Sequence, residues 1–274
     1  MQKYFVNELF HVEQTEKGEY MGKIIALANQ KGGVGKTTSA INIAACLGSL
    51  GKNVLLIDAD PQGNATSGVG LAKENIKKSF YDCLIGNEKI KNASVKTDFQ
   101  GLSICPCNIE LAGAEVELVG FSDREFQFSK SLKDIRNEYD FIIIDCPPSL
   151  GLITINILSG CDSVLIPLQC EYFALEGLSQ LMSTVKKIKA SYNQNLSIEG
   201  VILTMFDGRT NLTIQVAGEI KKYFGDKVFN TPVPRSVRLG EAPSYGEPIL
   251  YYDKHSKCTD AYINISKAII NNNS

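Results

Sequence analysis

Short apolar runs rich in β-branched residues recur along the chain. They span residues 23–29, 53–60, 141–149, 163–169, 200–206 and 227–234. Continuous apolar runs of this length are typical of strands that are buried on both faces, in a parallel sheet covered by helices. Between the first two runs, apolar residues recur at helical spacing and a glycine follows them: Ile41, Ala44, Ala45, Leu47 and then Gly51. This order predicts a helix between two strands, with the glycine as its stop.

The alternation of strands and helices predicts the fold class. We expect one α/β domain with a doubly wound, mostly parallel sheet and helices on both faces, which binds its ligand at the carboxyl ends of the strands. Residues 71–102 are more polar and predict a surface helix and loop. Near the C-terminus, apolar residues between Cys258 and Ile269 form one face of a helix that we expect to pack on the core.

Composition narrows the class of protein. The chain has 274 residues, of which 44% are hydrophobic and 21% charged, which is typical of an ordinary globular protein and not of a disordered one. No apolar run approaches the roughly 18 residues of a membrane span, and residues 1–20 lack the apolar centre of a signal peptide. We therefore expect a cytoplasmic protein. A net charge of −2 excludes binding to nucleic acid by bulk charge, so any DNA contact needs a local patch.

The eight cysteines favour packing over metal binding. Several lie inside apolar runs: Cys46, Cys146, Cys161 and Cys170. In such positions a thiol behaves as a small buried hydrophobe. The closest pair, Cys105 and Cys107, lacks the two-residue spacer and the second pair that are typical of zinc and iron–sulfur sites.

The strongest chemical signal is the segment QKGGVGKTT at residues 30–38, which follows a strand and opens a helix. Its glycines let the backbone approach phosphates, so that successive N–H groups and the helix N-terminus face the anion. Lys36 would neutralise the β- and γ-phosphates, and the Thr37 hydroxyl would bind Mg²⁺. The loop therefore predicts ATP and Mg²⁺ as ligands. Its predicted nucleotide-binding residues are Lys31, Gly32, Gly33, Val34, Gly35, Lys36, Thr37 and Thr38.

Two further strands end in carboxylates. Asp58 and Asp60 close the second run, and Pro61 then stops the strand and fixes the turn. Asp145 closes the third run before two prolines, as expected for a Walker B carboxylate that binds Mg²⁺ through water. An acid at a strand end is often only a solvated cap. Because both acidic sites follow strands compatible with a phosphate loop, we favour a catalytic site.

The usual phosphate loop has glycine where Gln30 stands, and here Lys31 follows it. This departure resembles the deviant Walker A loop of the superfamily that contains ParA, MinD and the nitrogenase iron protein, whose members close as dimers around two nucleotides. The resemblance implies that Lys31 reaches the partner's phosphates like an arginine finger, an effect of roughly 10³–10⁵ in rate. It also implies that hydrolysis depends on an ATP-bound homodimer and that Asp60 positions the attacking water. The implied catalytic residues are Lys31, Lys36, Asp60 and Asp145, with Thr37 and Asp145 at the metal.

The similarity extends from about residue 23 to the C-terminus. Its further segments are residues 169–181 (QCEYFALEGLSQL), 204–210 (TMFDGRT) and 232–249 (PVPRSVRLGEAPSYGEPI). On these residues the chain is identified as a member of the ParA/Soj family of ATPases that partition chromosomes or plasmids. The resemblance implies that Pro234 and Ser236 lie beside the adenine. Many relatives have Asn where Ser236 stands, so the side-chain contact stays open while a backbone contact is expected. Three roles stay open for Glu171: a contact with the ribose, a contact at the dimer seam, or a plain surface position.

The resemblance also implies DNA binding through Arg209 and Arg238, whose planar guanidinium groups suit phosphate oxygens. The alternative, exposed arginines held by nearby acids, stays open. Contacts of this kind read the backbone and not the sequence, and an ATP dimer would double them. The implied partners are non-specific double-stranded DNA and a ParB-type centromere-binding protein whose basic tail accelerates hydrolysis. We therefore expect association with the nucleoid.

Other functions share parts of this pattern. A MinD-like ATPase that positions a site on the membrane would end in a basic amphipathic helix, but the terminal stretch carries only Lys257 and Lys267, so we expect no membrane partner. A nitrogenase-like reductase would need cysteines that bridge a cluster between subunits, and a nucleotide kinase would need an acceptor pocket. If Asp60 does not position water, a further alternative is a scaffold protein that binds ATP without hydrolysing it.

The first residues precede the family-like start. We expect residues 1–22 to be a disordered extension that is not necessarily native, and residues 23–274 to form the ParA-like ATPase domain. The hexapeptide Leu9 to Gln14, LFHVEQ, can be encoded by TGTTTCACGTGGAACA, which is similar to the palindromic parS site that ParB proteins bind. One interpretation is that the leader is translated from an overlapping parS and that Met21 is the functional start. The other is a chance match in an ordinary tail.

Overall fold

The structure is a computed structural model that describes residues 21–273. Within this range the chain forms one seven-stranded sheet: β1 Lys23–Leu27, β2 Val54–Asp58, β3 Val95–Lys96, β4 Leu102–Cys105, β5 Phe141–Asp145, β6 Ser163–Gln169 and β7 Ser197–Thr204. The strand order is β3-β4-β2-β5-β1-β6-β7. All neighbours run parallel except β3 and β4. The predicted doubly wound, mostly parallel sheet is confirmed.

Helices cover both faces of the sheet. Those described are α1 Lys36–Ser49, α2 Asn64–Gly68, α3 Phe80–Leu84, α4 Ile90–Ala93, α5 Leu111–Glu117, α6 Gln127–Ser131, α7 Leu152–Gly160, α8 Ala174–Ser191, α9 Asn211–Phe224, α10 Val237–Glu241, α11 Ile249–Tyr252 and α12 Lys257–Asn272. Successive side chains of a strand point to opposite faces. Accordingly Ile24 packs in one buried cluster with α7 and α8, and Ile25 in the other with α1 and α12.

The predicted first and last helices pack against each other. The apolar face of α12 is buried on the core, and its Tyr262 hydroxyl lies 3.1 Å from the Ser39 hydroxyl of α1. Gly51 has φ +86°, the left-handed conformation that ends a helix at little cost for glycine. Burying each large aliphatic side chain contributes about 1.5–3 kcal/mol, so this pairing firmly anchors α1, which opens at the phosphate loop.

Two predictions of local structure are wrong. Residues 227–234 form no strand and make only isolated bridges, Val228 to Val201 and Pro234 to Phe206. Pro232 interrupts the run and has no N–H for a ladder. Residues 71–102 form α3, α4 and β3 instead of one surface helix with a loop, and the run at Leu102 begins the unpredicted strand β4. With only four residues, β4 depends on its parallel pairing with β2.

All eight cysteines are buried and unpaired, which confirms their role as small hydrophobes. None of the helices between residues 21 and 273 combines the length and apolarity needed to cross a membrane. The hexapeptide Leu9 to Gln14 lies outside the described residues, as does nearly all of the extension predicted at 1–22. Those expectations therefore stay predictions.

Candidate functional site

The carboxyl ends of three adjacent strands bring the predicted site together. β5 lies between β1 and β2, so that Asp145 is the register partner of Leu27 on one side and of Asp58 on the other. The loop that follows β1 and the acids that end β2 and β5 therefore share one edge of the sheet. Sequence reasoning named both acids, but only the strand order makes them neighbours.

The loop after β1 has the backbone geometry of a phosphate cradle. Gly33 and Gly35 have φ +73° and +84°, the left-handed region that a side chain would strain. Gly35 directly precedes α1, whose first turn has no side-chain cap and no acidic residue. The free N–H groups of that turn can therefore receive an anion. The Thr204 hydroxyl at the end of β7 donates to the Val34 carbonyl at 2.8 Å, and this hydrogen bond ties the loop to β7.

Lys36 lies buried inside this loop. Its ammonium donates to the Lys31 carbonyl at 3.3 Å and forms no ion pair with another described residue. Burial lowers its pKa, and the charges of Asp145, the Cys146 thiol and Asp60 oppose that shift. A buried ammonium that only a carbonyl satisfies is set to receive an anion such as a phosphate.

Asp145 is the most unusual group of the site. Its side chain is completely buried, and neither carboxylate oxygen has a hydrogen-bond partner of good geometry. Burial raises its pKa well above the ordinary value, the charge of Asp58 adds to the rise, and the nearby Thr37 hydroxyl and Lys36 oppose it. An orphaned carboxylate beside a hydroxyl is an oxygen donor set that fits Mg²⁺. The residues predicted for the metal are therefore suited to it.

Asp58, to which sequence reasoning assigned no separate role, holds the neighbouring turn. Its Oδ2 accepts hydrogen bonds from the Thr66 N–H and hydroxyl, both at 2.7 Å, and its Oδ1 accepts one from the Asp60 N–H at 3.2 Å. Burial raises its pKa to about 6, against these hydrogen bonds. The Thr66 hydroxyl also accepts from the Cys107 N–H at 3.0 Å. This buried network joins β2, α2 and the end of β4, and the sequence carried no signal for Thr66.

Asp60 is held in the turn after β2. Its Oδ1 accepts the Gln62 N–H at 2.9 Å, and its carbonyl accepts the Gly63 N–H at 2.8 Å. The side chain is mostly buried, and its charge raises the pKa values of both Asp58 and Asp145. Asp60 thus lies close to Lys36 and Asp145, and its role in positioning water stays a prediction.

A cavity of about 590 Å³ lies past the end of β7 and is lined by both residues predicted at the adenine. Its lining residues are Phe206, Asp207, Arg209, Pro234, Arg235, Ser236, Ser256, Lys257 and Cys258. Met205, the only non-glycine residue with positive φ in the described range, turns the chain at φ +48° as it leaves β7. Such strain concentrates at functional sites. The Pro234 carbonyl accepts a 3.6 Å hydrogen bond from the Cys258 thiol. Whether the Ser236 side chain contacts the adenine base is still an open question.

The two predicted DNA-binding arginines are exposed and each is held by an acid. Arg209 donates from Nε and Nη2 to the two oxygens of Asp207 at 2.8 and 2.7 Å, which lowers the pKa of Asp207 to about 2. Arg238 lies 3.6 Å from Glu241. Between them Arg235 is exposed and forms no ion pair with a described residue. Sequence reasoning missed it, although it directly follows a named residue, Pro234.

Lys31 projects from the rim of the loop and forms an ion pair with Glu171, which follows β6. Its backbone N–H donates to the Asn29 side chain at 3.0 Å. Glu171 is partly exposed and pairs with Lys31 of its own chain, and the alternatives at the ribose and at the dimer seam stay predictions.

Comparisons with known proteins agree with this geometry. A family model described as "AAA domain" matches residues 22–198. The sporulation initiation inhibitor protein Soj of Bacillus subtilis is 54% identical over 92% of this chain and 100% of that protein. The chromosome partitioning protein ParA of Myxococcus xanthus is 50% identical over 91% of this chain and 88% of that protein.

Among solved structures, a cobyrinic acid a,c-diamide synthase from Mycobacterium smegmatis, with a bound ATP analog and magnesium, superposes with a TM-score of 0.80 at 34% identity. The alignment covers 91% of this chain and 94% of that one. The sheet, the phosphate loop and the two curated relatives all lead to one assignment. The chain belongs to the ParA/Soj family of chromosome-partitioning ATPases.

Proposed function

We propose that this protein is a DNA-partitioning ATPase in which ATP drives closure of a sandwich dimer that binds DNA without sequence specificity. Hydrolysis, stimulated by a ParB-type partner, then releases the DNA. The observation that carries the proposal is the orphaned, buried carboxylate of Asp145 beside the Thr37 hydroxyl and an ammonium, Lys36, without an ionic partner. These unsatisfied groups of opposite charge are complementary to a metal-bound phosphate chain.

Each residue has a separate task in the proposed reaction. The first turn of α1 and the Lys36 ammonium would bind the phosphates, and Thr37 and Asp145 would hold Mg²⁺. When bound, Mg²⁺ neutralises phosphate charge and stabilises the charge that develops on the leaving oxygen. Asp60 would orient a water molecule, whose oxygen forms a new bond to the γ-phosphorus while the bond to the ADP oxygen breaks; the proton that the water loses goes to the inorganic phosphate or to solvent. The network of Asp58 with Thr66 keeps the Asp60 turn in place.

Lys31 supplies the charge that one subunit lacks. Its ammonium lies at the exposed rim, whereas the Lys36 ammonium lies inside the loop. We propose that Lys31 reaches the phosphates of a second copy, so that each site is complete only in the dimer. Positive charge delivered to a transferring phosphoryl group accelerates its transfer. Hydrolysis would therefore follow dimerisation.

The DNA surface is proposed at Arg209 and Arg238, with Arg235 between them. All three are exposed, and the chain's net charge of −2 requires such a local patch. If one subunit contacts two or three phosphates, a dimer contacts about four to six, which gives a slope of log affinity against log salt of roughly −4 to −5. A membrane-site ATPase is less well supported, because the apolar face of α12 is buried on the core.

ATP turnover measured with and without DNA and a cognate ParB-type protein tests this function. We expect slow turnover by the protein alone and a marked rise when both are added. Asp145→Asn protein serves as the control that lacks the metal carboxylate and should show no turnover under any condition. Turnover that neither DNA nor the partner protein changes would contradict the proposal.

A further inference from the structure

The ion pair between Lys31 and Glu171 joins two loops at the carboxyl edge of the sheet. Lys31 lies in the phosphate loop after β1, and Glu171 lies between β6 and α8. Because β1 and β6 are parallel neighbours, both loops leave the same edge side by side. The pair is therefore a consequence of strand order, since the two residues are 140 positions apart in the chain.

The backbone on both sides of this ion pair is held in place. The Asn29 side chain accepts the Lys31 N–H at 3.0 Å, and its amide donates to the Pro167 carbonyl of β6 at 2.8 Å. On the other side, the Glu171 N–H donates to the Gln169 carbonyl at 2.9 Å. Asn29 is buried, so it ties the phosphate loop to β6 directly. The two charged side chains thus start from fixed positions, which reduces the entropy lost when they pair.

We propose that Glu171 is a positioning residue that holds Lys31 within its own subunit and must release it before the dimer closes. The inference rests on the proposed function, in which Lys31 acts on the phosphates of a second copy. The Lys31 ammonium pairs with Glu171 of its own chain, so it would leave this contact as it moves to the phosphates of the second copy. Tyr172 and Phe173, directly after Glu171, are 76% and 64% exposed, so this segment presents uncovered aromatic surface at the same edge.

The exposure of the pair sets the size of the effect. The Lys31 side chain is 36% exposed and that of Glu171 is 44% exposed, so water screens their attraction. Ion pairs of this kind change an equilibrium about 1.5- to 5-fold, and opening the two pairs of a dimer therefore changes dimerisation about 2- to 25-fold. Glu171 would thus adjust the ATP-dependent dimerisation without preventing it.

The test is the dimer dissociation constant with Mg²⁺ and a non-hydrolysable ATP analogue, measured by analytical ultracentrifugation. Glu171→Gln keeps the shape of the side chain and removes its charge, and Glu171→Asp keeps the charge on a shorter side chain. The matched control is Glu176→Gln, which removes a carboxylate from the first turn of α8, where it is exposed and forms no ion pair with a described residue. The ADP affinity of single subunits is measured in parallel.

We expect Glu171→Gln to tighten the dimer about 2- to 25-fold at low salt and by less at 0.5 M salt, because salt screens exposed pairs. Glu176→Gln should leave the constant unchanged, and Glu171→Asp should lie nearer the wild type. A weaker Glu171→Gln dimer, or an equal shift in Glu176→Gln, would overturn the inference. So would a tenfold loss of ADP affinity, which would assign Glu171 to the nucleotide. Failure of the wild-type protein to dimerise would contradict the proposed function itself.

Discussion

Replacing Asp145 by Asn should stabilise the protein in the absence of metal and abolish its response to Mg²⁺. The Asp145 carboxylate is fully buried and has no hydrogen-bond partner of good geometry, and it faces Asp58 in register on the next strand. Asn has nearly the same shape and no charge. The substitution therefore removes the repulsion between two buried carboxylates and also removes the metal ligand.

The magnitude follows from the charge of the buried carboxylate, because the Asn amide that replaces it is buried without partners as well. A charged group left without partners costs more than a neutral one, for which the cost is about 1–3 kcal/mol; a difference of about 1–3 kcal/mol raises Tm by about 2–10 °C for a domain of this length. Burial raises the folded-state pKa of Asp145 above its ordinary 3.8. Between the ordinary pKa of 3.8 and the raised folded-state pKa, the folded state binds more protons than the unfolded state. The stability of the wild type therefore falls as the pH rises through this window. The gain in stability of the Asp145→Asn protein over the wild type should accordingly be absent at pH 4 and largest at pH 8.

Thermal unfolding at pH 4 and pH 8, with and without Mg²⁺ and ADP, measures both effects. At 100 times its dissociation constant, bound Mg²⁺–ADP should stabilise the wild type by about 2.7 kcal/mol, and the Mg²⁺-dependent part should disappear in the variant. Asp98→Asn, which removes an exposed carboxylate, is the matched control and should behave as the wild type. An Asp145→Asn protein that is less stable than the wild type without metal at pH 8 and still responds to Mg²⁺ would refute this reasoning.

Four further predictions follow from the site. Lys36→Ala should lose nucleotide binding in calorimetry, because it removes the buried ammonium; retained affinity would contradict its role. In size-exclusion chromatography with ATP, Lys31→Ala should bind nucleotide but stay monomeric, whereas Asp60→Ala should be trapped as a dimer; a monomeric Asp60→Ala protein would argue against the water-positioning role. DNA affinity should require ATP, and Arg238→Glu should weaken all DNA sequences alike and make the salt slope less steep; tight binding in high salt would oppose this. Thr66→Val should cost about 2–4 kcal/mol in urea unfolding, since it removes one of the two hydrogen bonds to the Asp58 Oδ2 and leaves the buried Cys107 N–H without its partner; a loss below about 1 kcal/mol would mean that the network contributes little.

The sequence by itself determined the strands buried on both faces, the helix that opens at Lys36 and the phosphate loop. These features are local: a continuous apolar run predicts a buried strand, and glycines beside a lysine predict the backbone of an anion site. The same reasoning failed where local signals were weak or interrupted. β4 has only four residues and depends on β2, and Pro232 breaks the apolar run of residues 227–234.

Only the tertiary structure decided which charges meet. Asp58 and Asp145 are distant in sequence, and the insertion of β5 between β1 and β2 makes them register partners with raised pKa values. The pairing of Lys31 with Glu171 likewise depends on β6 lying next to β1. Residue type and spacing specify what a group can do. The energy of a buried or paired charge depends on its neighbours and on its distance from water, and both are set by the order of strands in the sheet.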